Sequence, residues 1–368
     1  MDIKYMERAL ELAKMGAGHT NPNPLVGAVI VKAGRIIGEG YHQIYGSHHA
    51  EVNAFINATE DVNGATMYVT LEPCSHYGKT PPCADAIVEN KLKKVIIGLK
   101  DPNPLVAGRG IKILEDNGIE VVTGILAEEG KKLNEIFLKY ITTKMPFCLM
   151  KTAMTLDGKI ATYTGDSQWV TGELSREYVH QLRHRVAGIM VGIGTVLSDN
   201  PSLTTRLQWG IGSDPIRIIV DSSGRIPLEA KVLNIKSKAR TIIATTEKVD
   251  KGKIKALEEK GAEIIITPVK NGRVDLVFLM KALGERKIDS VMLEGGSELN
   301  YSALQDGIVD KVYAFIAPQI LGGNTAKTSV GGQGKAYMKE AISLNGIDFK
   351  RFGNDIMIEG YIESGGIS

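Results

Sequence analysis

The sequence predicts two α/β domains that meet near residue 146. Apolar, β-branched strands alternate with amphipathic helices through both halves of the chain. At 368 residues the chain is long for one hydrophobic core, so two domains are the natural expectation. Pro146 follows the break at 142–145 and interrupts the alternation, which gives domains 1–145 and 146–368.

Composition and charge narrow the class of protein. Hydrophobic residues make up 43% of the chain, the formal net charge is +2, and neither half is basic enough for a nucleic-acid surface. No apolar run approaches the roughly 18–20 residues that span a bilayer, and the N-terminus lacks the apolar core of a signal peptide. Three cysteines favour a reducing compartment. We expect a cytoplasmic protein that acts on small molecules, without a nucleic-acid or membrane partner.

The first half is predicted to form an open layered sheet with its site outside the carboxyl ends of the strands. The predicted elements are a helix over 1–15, strands 28–31 and 35–40, a helix over 49–58, a strand over 66–71, a helix opened by Pro81 and Pro82, a strand over 94–98 and a helix over 126–140.

One imidazole and two thiols in this half indicate a metal site. His49, Cys74 and Cys83 are soft-to-borderline ligands that suit a tetrahedral Zn²⁺ with its fourth position open for water. Zinc-bound water ionises near neutral pH, which supplies a hydroxide nucleophile. Glu51, two residues after the histidine, is better placed to carry protons between that water and a leaving amine than to be a fourth ligand.

The same residues are also compatible with interpretations other than a catalytic metal site. The two cysteines are compatible with buried apolar filling, and a structural zinc would need a fourth protein ligand, for which Cys148 is the remaining cysteine. Gly78-Lys79-Thr80 looks like the end of a phosphate-binding loop, but Pro73 occupies the required earlier glycine position. A nucleotide-triphosphatase is therefore not supported.

The second half is predicted to be an α/β domain that binds a phosphorylated nucleotide. Gly295-Gly296-Ser297, between a strand and a helix, offers backbone N–H groups for a pyrophosphate, and Gly322-Gly323-Asn324 forms a second glycine turn. Neither is the Gly-x-Gly-x-x-Gly fingerprint of a standard dinucleotide fold. The predicted elements are strands 147–153, 189–192, 216–220, 241–244, 264–266 and 291–293, with a helix over 173–186.

Three motifs in the first half carry a specific resemblance. His49-Ala50-Glu51, Glu72-Pro73-Cys74-Ser75-His76 and Pro81-Pro82-Cys83, with eight residues between the cysteines, resemble the pyrimidine deaminase half of the bifunctional deaminase–reductase of riboflavin biosynthesis. The resemblance implies a cytidine-deaminase-like α/β/α layered sheet. It also implies substrate contacts, which match Asn23, His42, His76, Lys79, Asp101 and Asn103. From the residue alone, Asn23 is equally well explained as a turn residue.

The second half resembles the reductase half of the same family. The motifs are Leu-Asp-Gly-Lys at 156–159, Gly-Asp-Ser at 165–167, Gly-Thr-Val at 194–196, Asp-Asn-Pro-Ser-Leu at 199–203 and Glu-Gly-Gly-Ser at 294–297. They imply a dihydrofolate-reductase-like fold that uses NADPH. By position, the cofactor residues would be Ala153, Trp169, Thr195, Asp199, Ser222, Gly296, Ser297, Glu298, Leu299, Asn300, Tyr301 and Ser302. The reductase substrate residues would be Lys151, Ser167, Leu203, Arg206 and Glu294. Residues 225–290 carry little that is recognisable.

The resemblance implies two consecutive reactions. Zinc hydroxide would deaminate 2,5-diamino-6-(5-phosphoribosylamino)pyrimidin-4-one, with Glu51 as proton carrier. NADPH would then reduce the ribosyl group of 5-amino-6-(5-phosphoribosylamino)uracil to ribityl. Lys151 and Asp199 are the candidate proton donors for the hydride step, and Arg206 suits the phosphate. We expect a homo-oligomer.

Two rival hypotheses remain from the sequence. One is a cytidine or transfer-RNA deaminase with an appended nucleotide-binding domain. The other is a zinc-stabilised module without enzymatic activity.

Overall fold

The computed structural model of the chain describes residues 2–75, 81–103, 107–208, 210 and 212–363. It divides into two compact units, Met1–Lys144 and Met145–Ser368, one residue before the predicted boundary. Among the described residues, no helix is both long enough and apolar enough to span a membrane.

The first unit contains a five-stranded mixed sheet in the order β2-β1-β3-β4-β5, in which β1 is antiparallel to both neighbours and β3, β4 and β5 are parallel. Its elements are α1 (Asp2–Lys14), β1 (Gly27–Lys32), β2 (Arg35–Tyr41), α2 (Ala50–Ile56), β3 (Thr66–Leu71), α3 (Cys83–Glu89), β4 (Lys94–Leu99), α4 (Arg109–Asp116), β5 (Glu120–Thr123), α5 (Ala127–Leu133) and α6 (Glu135–Thr143).

Helices cover both faces of this sheet. On one face, Met6 and Ala9 of α1 pack with Tyr68 of β3. On the other face, Ala54 of α2 and Ile87 of α3 belong to a separate core cluster. That cluster also contains the buried strand residues whose side chains point to this face. The three central strands β1, β3 and β4 therefore bury both of their faces, and the predicted α/β/α layering is confirmed.

The close packing of α2 on β2 fixes the position of the residues at the start of α2. A side chain at Gly40 would overlap backbone atoms of Ala50 and Ala54, so only glycine lets the helix approach this closely. The prediction of His49 in the first turn is off by one position: His49 is the N-cap residue and α2 begins at Ala50.

One predicted helix is wrong. The stretch 126–140 forms two helices, α5 and α6, separated at Asn134. Asn134 is 2% exposed; its Oδ1 accepts from the Leu25 backbone N–H at 2.8 Å and its Nδ2 donates to the Leu25 carbonyl at 3.0 Å. The Asn134 amide thus pairs with both backbone polar groups of Leu25, as a neighbouring strand would. The two residues are 109 positions apart, so helical periodicity does not reveal this contact.

The second unit contains a nine-stranded mixed sheet in the order β10-β9-β8-β7-β13-β6-β14-β16-β15. The strands from β10 to β14 in this order are parallel; β16 pairs antiparallel with β14, and β15 pairs antiparallel with β16. The elements are β6 (Phe147–Thr155), α7 (Glu173–Arg185), β7 (Gly188–Gly192), α8 (Ile193–Asp199), β8 (Ile216–Val220), α9 (Lys231–Asn234), β9 (Thr241–Thr246), α10 (Lys251–Glu259), β10 (Ala262–Thr267), β11 (Val269–Lys270), β12 (Arg273–Val274), α11 (Leu276–Glu285), β13 (Ser290–Leu293), α12 (Ser297–Gln305), β14 (Lys311–Ala317), a 3₁₀ turn (Met338–Glu340), β15 (Leu344–Phe352) and β16 (Asp355–Ile362).

The sheet of the second unit is also covered on both faces. Leu279 and Leu283 of α11 pack with Cys148 and Met150 of β6 in one core cluster. On the opposite face, Tyr178 of α7 contacts Phe315 of β14, with ring centroids 6.3 Å apart. The stretch 225–290, which the sequence left without a role, supplies strands β9 and β10 and helices α9 to α11.

Replacing Asn134 should destabilise the first unit. In Asn134→Ala, a buried N–H and a buried carbonyl of Leu25 lose their partners, and each unsatisfied group costs about 1–3 kcal/mol. We expect native-state hydrogen exchange of the β1 amides to show a loss of about 2–4 kcal/mol. Asn117→Ala, which removes an exposed amide that bonds Ile113, is the matched control and should change the same amides by less than about 0.5 kcal/mol. Equal effects of the two variants would contradict the role given to Asn134.

Candidate functional site

Three predicted metal ligands converge in the first unit. The Nδ1 atom of His49 lies 3.5 Å from the Sγ of Cys74 and 3.3 Å from the Sγ of Cys83. Among the described residues, these are the three His, Cys, Asp or Glu side chains whose possible metal-ligand atoms all lie within 4.8 Å of one another. His49 precedes α2, Cys74 follows β3 and Cys83 opens α3, so three separate elements deliver the three atoms.

The distances between the three atoms fit a tetrahedral Zn²⁺. Bonds of about 2.0 Å to nitrogen and about 2.3 Å to sulfur place ligand atoms at a tetrahedral angle roughly 3.5 Å apart. The observed His49–sulfur distances are close to that value. The backbone N–H of Cys83 also donates to the Cys74 sulfur at 3.3 Å, a hydrogen bond that stabilises a thiolate.

The two thiols have shifted pKa values in opposite directions, because the Cys83 thiol donates a hydrogen bond to the Cys74 sulfur. The hydrogen bond from the Cys83 thiol lowers the pKa of Cys74 to about 4, against the opposing effect of burial and with a further contribution from His49. The same hydrogen bond, together with burial, raises the pKa of Cys83. A divalent cation between the two sulfurs would displace this proton and ionise both thiols.

Glu51 lies beside the cluster and is buried, with 3% of its surface exposed. Burial and the neighbouring Cys74 raise the pKa of the Glu51 carboxyl to about 7. A carboxyl group with a pKa near neutrality both accepts and donates a proton readily, as general acid–base catalysis requires.

His42 and Asn23 form a second layer of the site. The Nδ1–H of His42 donates to the His48 carbonyl at 3.0 Å, because a carbonyl only accepts; its Nε2 then accepts from the Asn23 amide nitrogen at 3.2 Å. Burial lowers the pKa of His42, which favours this neutral form. The predicted substrate contact His42 thus has both ring nitrogens engaged by the protein, and it orients Asn23 with its Oδ1 pointing away from the imidazole.

A cavity of about 330 Å³ opens onto the cluster. Its wall includes the predicted residues Asn23, His42, His49, Glu51, Cys74, Asp101 and Asn103. Asp101 accepts from the backbone N–H of Asn103 at 2.8 Å, which fixes that loop. The other two predicted substrate contacts, His76 and Lys79, lie outside the described residues.

A second cavity, of about 530 Å³, lies at the carboxyl edge of the second sheet. Lys151 and Glu294, which the family resemblance indicated as reductase substrate residues, line it. Lys151 lies on β6 and Glu294 directly follows β13, the parallel neighbour of β6. Arg183 of α7, which the sequence did not indicate, forms two 2.8 Å hydrogen bonds to the two oxygens of Glu294. Its third contact is a 3.0 Å bond to the Thr204 carbonyl.

The charges in this cavity are strongly coupled. Burial alone would raise the pKa of Glu294, but Arg183 and Lys151 lower it to about 2. The ammonium of Lys151 lies 4.0 Å from Glu294, and burial lowers the pKa of Lys151 despite that carboxylate. Glu294 is therefore an anion held between Arg183 and Lys151 at the cavity wall.

The glycine junction before α12 forms part of the same wall. Gly296 is the N-cap of α12, and Gly295 and Asn300 line the cavity. Asn300 is buried; its Nδ2 donates to the Ser329 carbonyl at 2.8 Å, whereas its Oδ1 has no hydrogen-bond partner among the described residues. A buried acceptor without a partner at a cavity wall fits a ligand that supplies a donor there.

The remaining predicted cofactor residues are divided between the cavity and other contacts. Ala153, Trp169 and Asp199 line the cavity, and Thr195 lies next to Gly296. Three of the others have polar partners: Ser222, after β8, accepts from the Val274 N–H, Glu298 pairs with Arg273 at 2.9 Å, and Ser302 donates to a carbonyl of its own helix. The last three lie near glycines: Leu299 near Gly192, Tyr301 near Gly332, and Ser297 near Gly331.

Of the three other predicted reductase substrate residues, two line the cavity. Ser167 and Arg206 line the cavity, and Leu203 is buried in a left-handed conformation with φ of 53°. The backbone N–H of Arg206 donates to Nδ1 of His180 at 3.2 Å. His180, another residue of α7 that the sequence did not indicate, therefore holds the loop that carries Arg206.

Comparison with known proteins gives matches over both halves. Residues 146–358 match the family described as RibD C-terminal domain, and residues 1–99 match the cytidine and deoxycytidylate deaminase zinc-binding region. The riboflavin biosynthesis protein RibD of Actinobacillus pleuropneumoniae is 51% identical over 97% of this chain and 94% of that protein. Its counterpart from Aquifex aeolicus is 43% identical over 97% and 98%.

The chain belongs to the RibD family.

Solved structures of RibD proteins agree with both domains. The Acinetobacter baumannii RibD structure, form 2, superposes with a TM-score of 0.87 at 37% identity and covers 98% of this chain and 99% of that one. A Thermotoga maritima protein, described as a diaminohydroxyphosphoribosylaminopyrimidine deaminase/5-amino-6-(5-phosphoribosylamino)uracil reductase, superposes with a TM-score of 0.84 at 40% identity over 98% of each chain. RibD proteins combine a deaminase domain with a reductase domain in riboflavin biosynthesis, so an unrelated appended domain is not supported.

Sequence reasoning gave no role to three residues that line the two cavities: Glu72, Arg183 and His180. Glu72 had a local signal, because a carboxylate directly after a buried strand must be compensated. Arg183 and His180 lie on a helix with basic residues throughout its last turn, where a solvated surface is the ordinary expectation. Only the fold brings Arg183 to Glu294, 111 residues away.

Lowering the pH should release the Arg206 amide from His180. Burial, with the charges of Arg183 and Arg206, lowers the pKa of His180 to about 4; Glu294 opposes this and Lys151 adds to it. Nδ1 accepts only while the imidazole is neutral. Because the pKa of an unfolded histidine is about 6.5, the stabilisation is complete above that pH and is lost as the pH falls through about 4.

Hydrogen exchange corrected for intrinsic rates measures this release. Protection of the Arg206 amide should fall between pH 6 and pH 4. The Gly322 amide, which donates to Asp157, is the control, because a hydrogen bond from Thr155 and others from Gly322 and Leu321 lower the pKa of Asp157 to about 2. Unchanged protection of Arg206 at pH 4 would show that His180 does not hold the loop.

Proposed function

We propose that the first unit deaminates 2,5-diamino-6-(5-phosphoribosylamino)pyrimidin-4-one and that the second reduces the product, 5-amino-6-(5-phosphoribosylamino)uracil, with NADPH. The observation that carries this proposal is the His49–Cys74–Cys83 cluster beside buried Glu51, in a chain whose RibD relatives match both units. The Thermotoga maritima relative is named for these two activities.

His49, Cys74 and Cys83 are the proposed Zn²⁺ ligands, one ion per deaminase site. Zinc with three protein ligands polarises a water molecule whose pKa falls to about 7. Glu51 would carry two protons in turn: the first from the attacking water to the ring nitrogen, and the second from the hydroxyl formed at the attacked carbon to the amino group, which then leaves as ammonia. Its raised pKa supports both directions of transfer, and its burial keeps bulk water from competing for the proton.

The deaminase substrate would be positioned by polar groups of the first cavity. Asn23, oriented by His42, presents an amide oxygen that can accept from an amine of the pyrimidine. Asp101 and Asn103 suit the ribose hydroxyls. His76 and Lys79 remain predicted contacts, with Lys79 suited to the phosphate.

The second cavity is the proposed NADPH and reductase-substrate site. NADPH supplies the hydride. The Asn300 Oδ1 without a partner and the glycine junction at Gly295 and Gly296 fit a nucleotide cofactor held at the start of α12. Ala153, Trp169, Thr195 and Asp199 would complete the cofactor contacts.

Lys151 is the proposed proton donor for the hydride step. It is half-buried at the cavity wall, and its lowered pKa makes the ammonium a stronger acid than a surface lysine. Asp199, the other candidate, is exposed and bonded to Ser198 at 2.6 Å. Arg206 suits the phosphate, and Arg183 would hold Glu294 in the orientation that receives the sugar.

The cytoplasmic location and the homo-oligomeric state stay predictions from the sequence.

Removing the proposed proton carrier should separate the two activities. Glu51→Gln keeps the shape of the side chain but cannot accept a proton, so ammonia release should fall by roughly 10²–10⁴-fold. Zinc content should stay near one ion per chain. NADPH oxidation with deaminated substrate in the same molecule should be unchanged.

Glu89→Gln is the control for the first unit, because Glu89 is exposed on α3. It should leave both activities as in the wild type. Retained deamination in Glu51→Gln would remove the role given to Glu51.

Neutralising Glu294 should disable the reductase alone. In Glu294→Gln, Arg183 and Lys151 lose their shared counter-charge within a buried cavity, an imbalance worth about 3–5 kcal/mol. We expect kcat/KM for NADPH-dependent reduction to fall at least 100-fold, with deamination unaffected. Glu263→Gln is a matched control, because Glu263 also joins two cations, Arg240 and Arg286, but at the solvent-exposed edge of the sheet. A comparable loss in the control would assign the effect to folding instead.

A further inference from the structure

Glu72 is a buried carboxylate that accepts four backbone hydrogen bonds. It directly follows β3 and is 3% exposed. Its Oε2 accepts from the N–H groups of Asp101 at 3.3 Å and Gly108 at 3.1 Å, and its Oε1 from those of Gly110 at 3.1 Å and Ile111 at 3.4 Å. One side chain thus satisfies donors at both ends of the loop between β4 and α4.

The backbone of Glu72 is fixed as firmly as its side chain. Its N–H donates to the Leu99 carbonyl at 2.9 Å, which extends the β3–β4 ladder past the end of the strand. The two residues that follow are Pro73 and the zinc-ligand candidate Cys74. Gly110 packs directly against the Pro73 carbonyl, where a larger residue would overlap it.

The four donors have a common consequence for the site. The N–H groups of Gly110 and Ile111 belong to the first turn of α4, where no intrahelical acceptor is available. A carboxylate there is stabilised both by these N–H groups and by the helix dipole. Because the same carboxylate also holds Asp101, the orientation of α4 and the position of Asp101 depend on one group.

Asp101 and Asn103 extend this dependence to the cavity. Asp101 accepts from the N–H of Asn103 at 2.8 Å, and all three of Glu72, Asp101 and Asn103 line the cavity that opens onto the cysteine cluster. Displacing the Glu72 carboxylate would move these two residues while leaving the three sulfur and nitrogen ligand atoms on their own elements.

We propose that Glu72 is a positioning residue of the deaminase: its backbone carries Cys74, and its carboxylate sets Asp101 and Asn103 against the ribose of the substrate. This inference rests on the proposed function of the first unit. It assigns Glu72 no contact with the reacting atoms, so its effect belongs in substrate binding rather than in the chemical step.

Glu72→Gln tests this assignment in the full chain. A glutamine nitrogen cannot accept, so one pair of N–H donors loses its partner and faces a second donor. We expect the KM of deamination to rise at least tenfold, kcat to change by less than threefold, zinc content to stay as in the wild type, and NADPH-dependent reduction to be unchanged. Glu115→Gln, an exposed glutamate on α4, is the matched control and should alter none of these.

A readout that does not depend on turnover accompanies the kinetics. Hydrogen exchange of the Asp101 and Gly108 amides should lose protection in Glu72→Gln, while amides of the first unit away from this loop, such as those of β1, keep it. Glu72→Asp retains the charge on a shorter side chain and should raise the KM less than Glu72→Gln does. If Glu72→Gln does not fold, a smaller KM increase in Glu72→Asp at unchanged kcat is the expected result, and an unchanged KM in Glu72→Asp would refute the positioning role.

The outcomes separate the two proposals. A wild-type protein that releases no ammonia from the aminopyrimidine refutes the proposed function. An active wild type whose Glu72→Gln variant keeps its KM, loses zinc, or loses kcat at constant KM refutes the positioning role alone. Combined with Asp101→Ala, Glu72→Gln should add less than its single effect, because both act on one loop; full additivity would also refute it.

Discussion

Both sites depend on the electrostatic compensation of a carboxylate that directly follows a buried parallel strand. Glu72 follows β3, and Glu294 follows β13. Parallel neighbouring strands end at the same edge of a sheet, so whatever follows them is gathered there. A carboxylate at such an edge is largely removed from water and must find positive charge or N–H donors within the protein. The function of the sheet edge then depends on whether the carboxylate is paired with backbone N–H groups or with cationic side chains.

The two units resolve this constraint differently. Glu72 is surrounded by backbone N–H groups, which cannot move without moving the loop itself, so it acts as a fixed support. Glu294 is surrounded by side-chain cations, Arg183 and Lys151, whose positions depend on rotamers and on what else occupies the cavity. Arg183 keeps its planar guanidinium paired to both oxygens, whereas the Lys151 ammonium is 4.0 Å away and burial lowers the pKa of Lys151. The first arrangement suits positioning, and the second suits a step in which charge changes.

Local sequence patterns predicted the features that depend on local structure. His49, Cys74 and Cys83 each lie at a boundary between a strand or loop and a helix, and such boundaries are marked by residue type and periodicity. The α/β alternation fixed the order of the elements and the edge at which the sites lie. Arg183 and Asn134 were not predicted because their partners, Glu294 and Leu25, are more than 100 residues away. Nothing in the neighbourhood of either residue distinguishes it from a surface arginine or a mid-helix asparagine.

The stretch 296–302 shows why a motif that is continuous in sequence includes residues whose side chains do not line the cavity. A helix turns about 100° per residue, so residues four apart share a face and those between them point elsewhere. Gly296 and Asn300 are four apart, and the Asn300 side chain is at the cavity wall with an unpaired acceptor. Glu298 points instead to Arg273, and Ser302 bonds the carbonyl of Glu298. Backbone N–H groups at the start of α12 offer contacts that side-chain identity does not report. A cofactor bound here would therefore meet Gly295, Gly296 and Asn300 first, while Glu298 and Ser302 shape the helix that presents them.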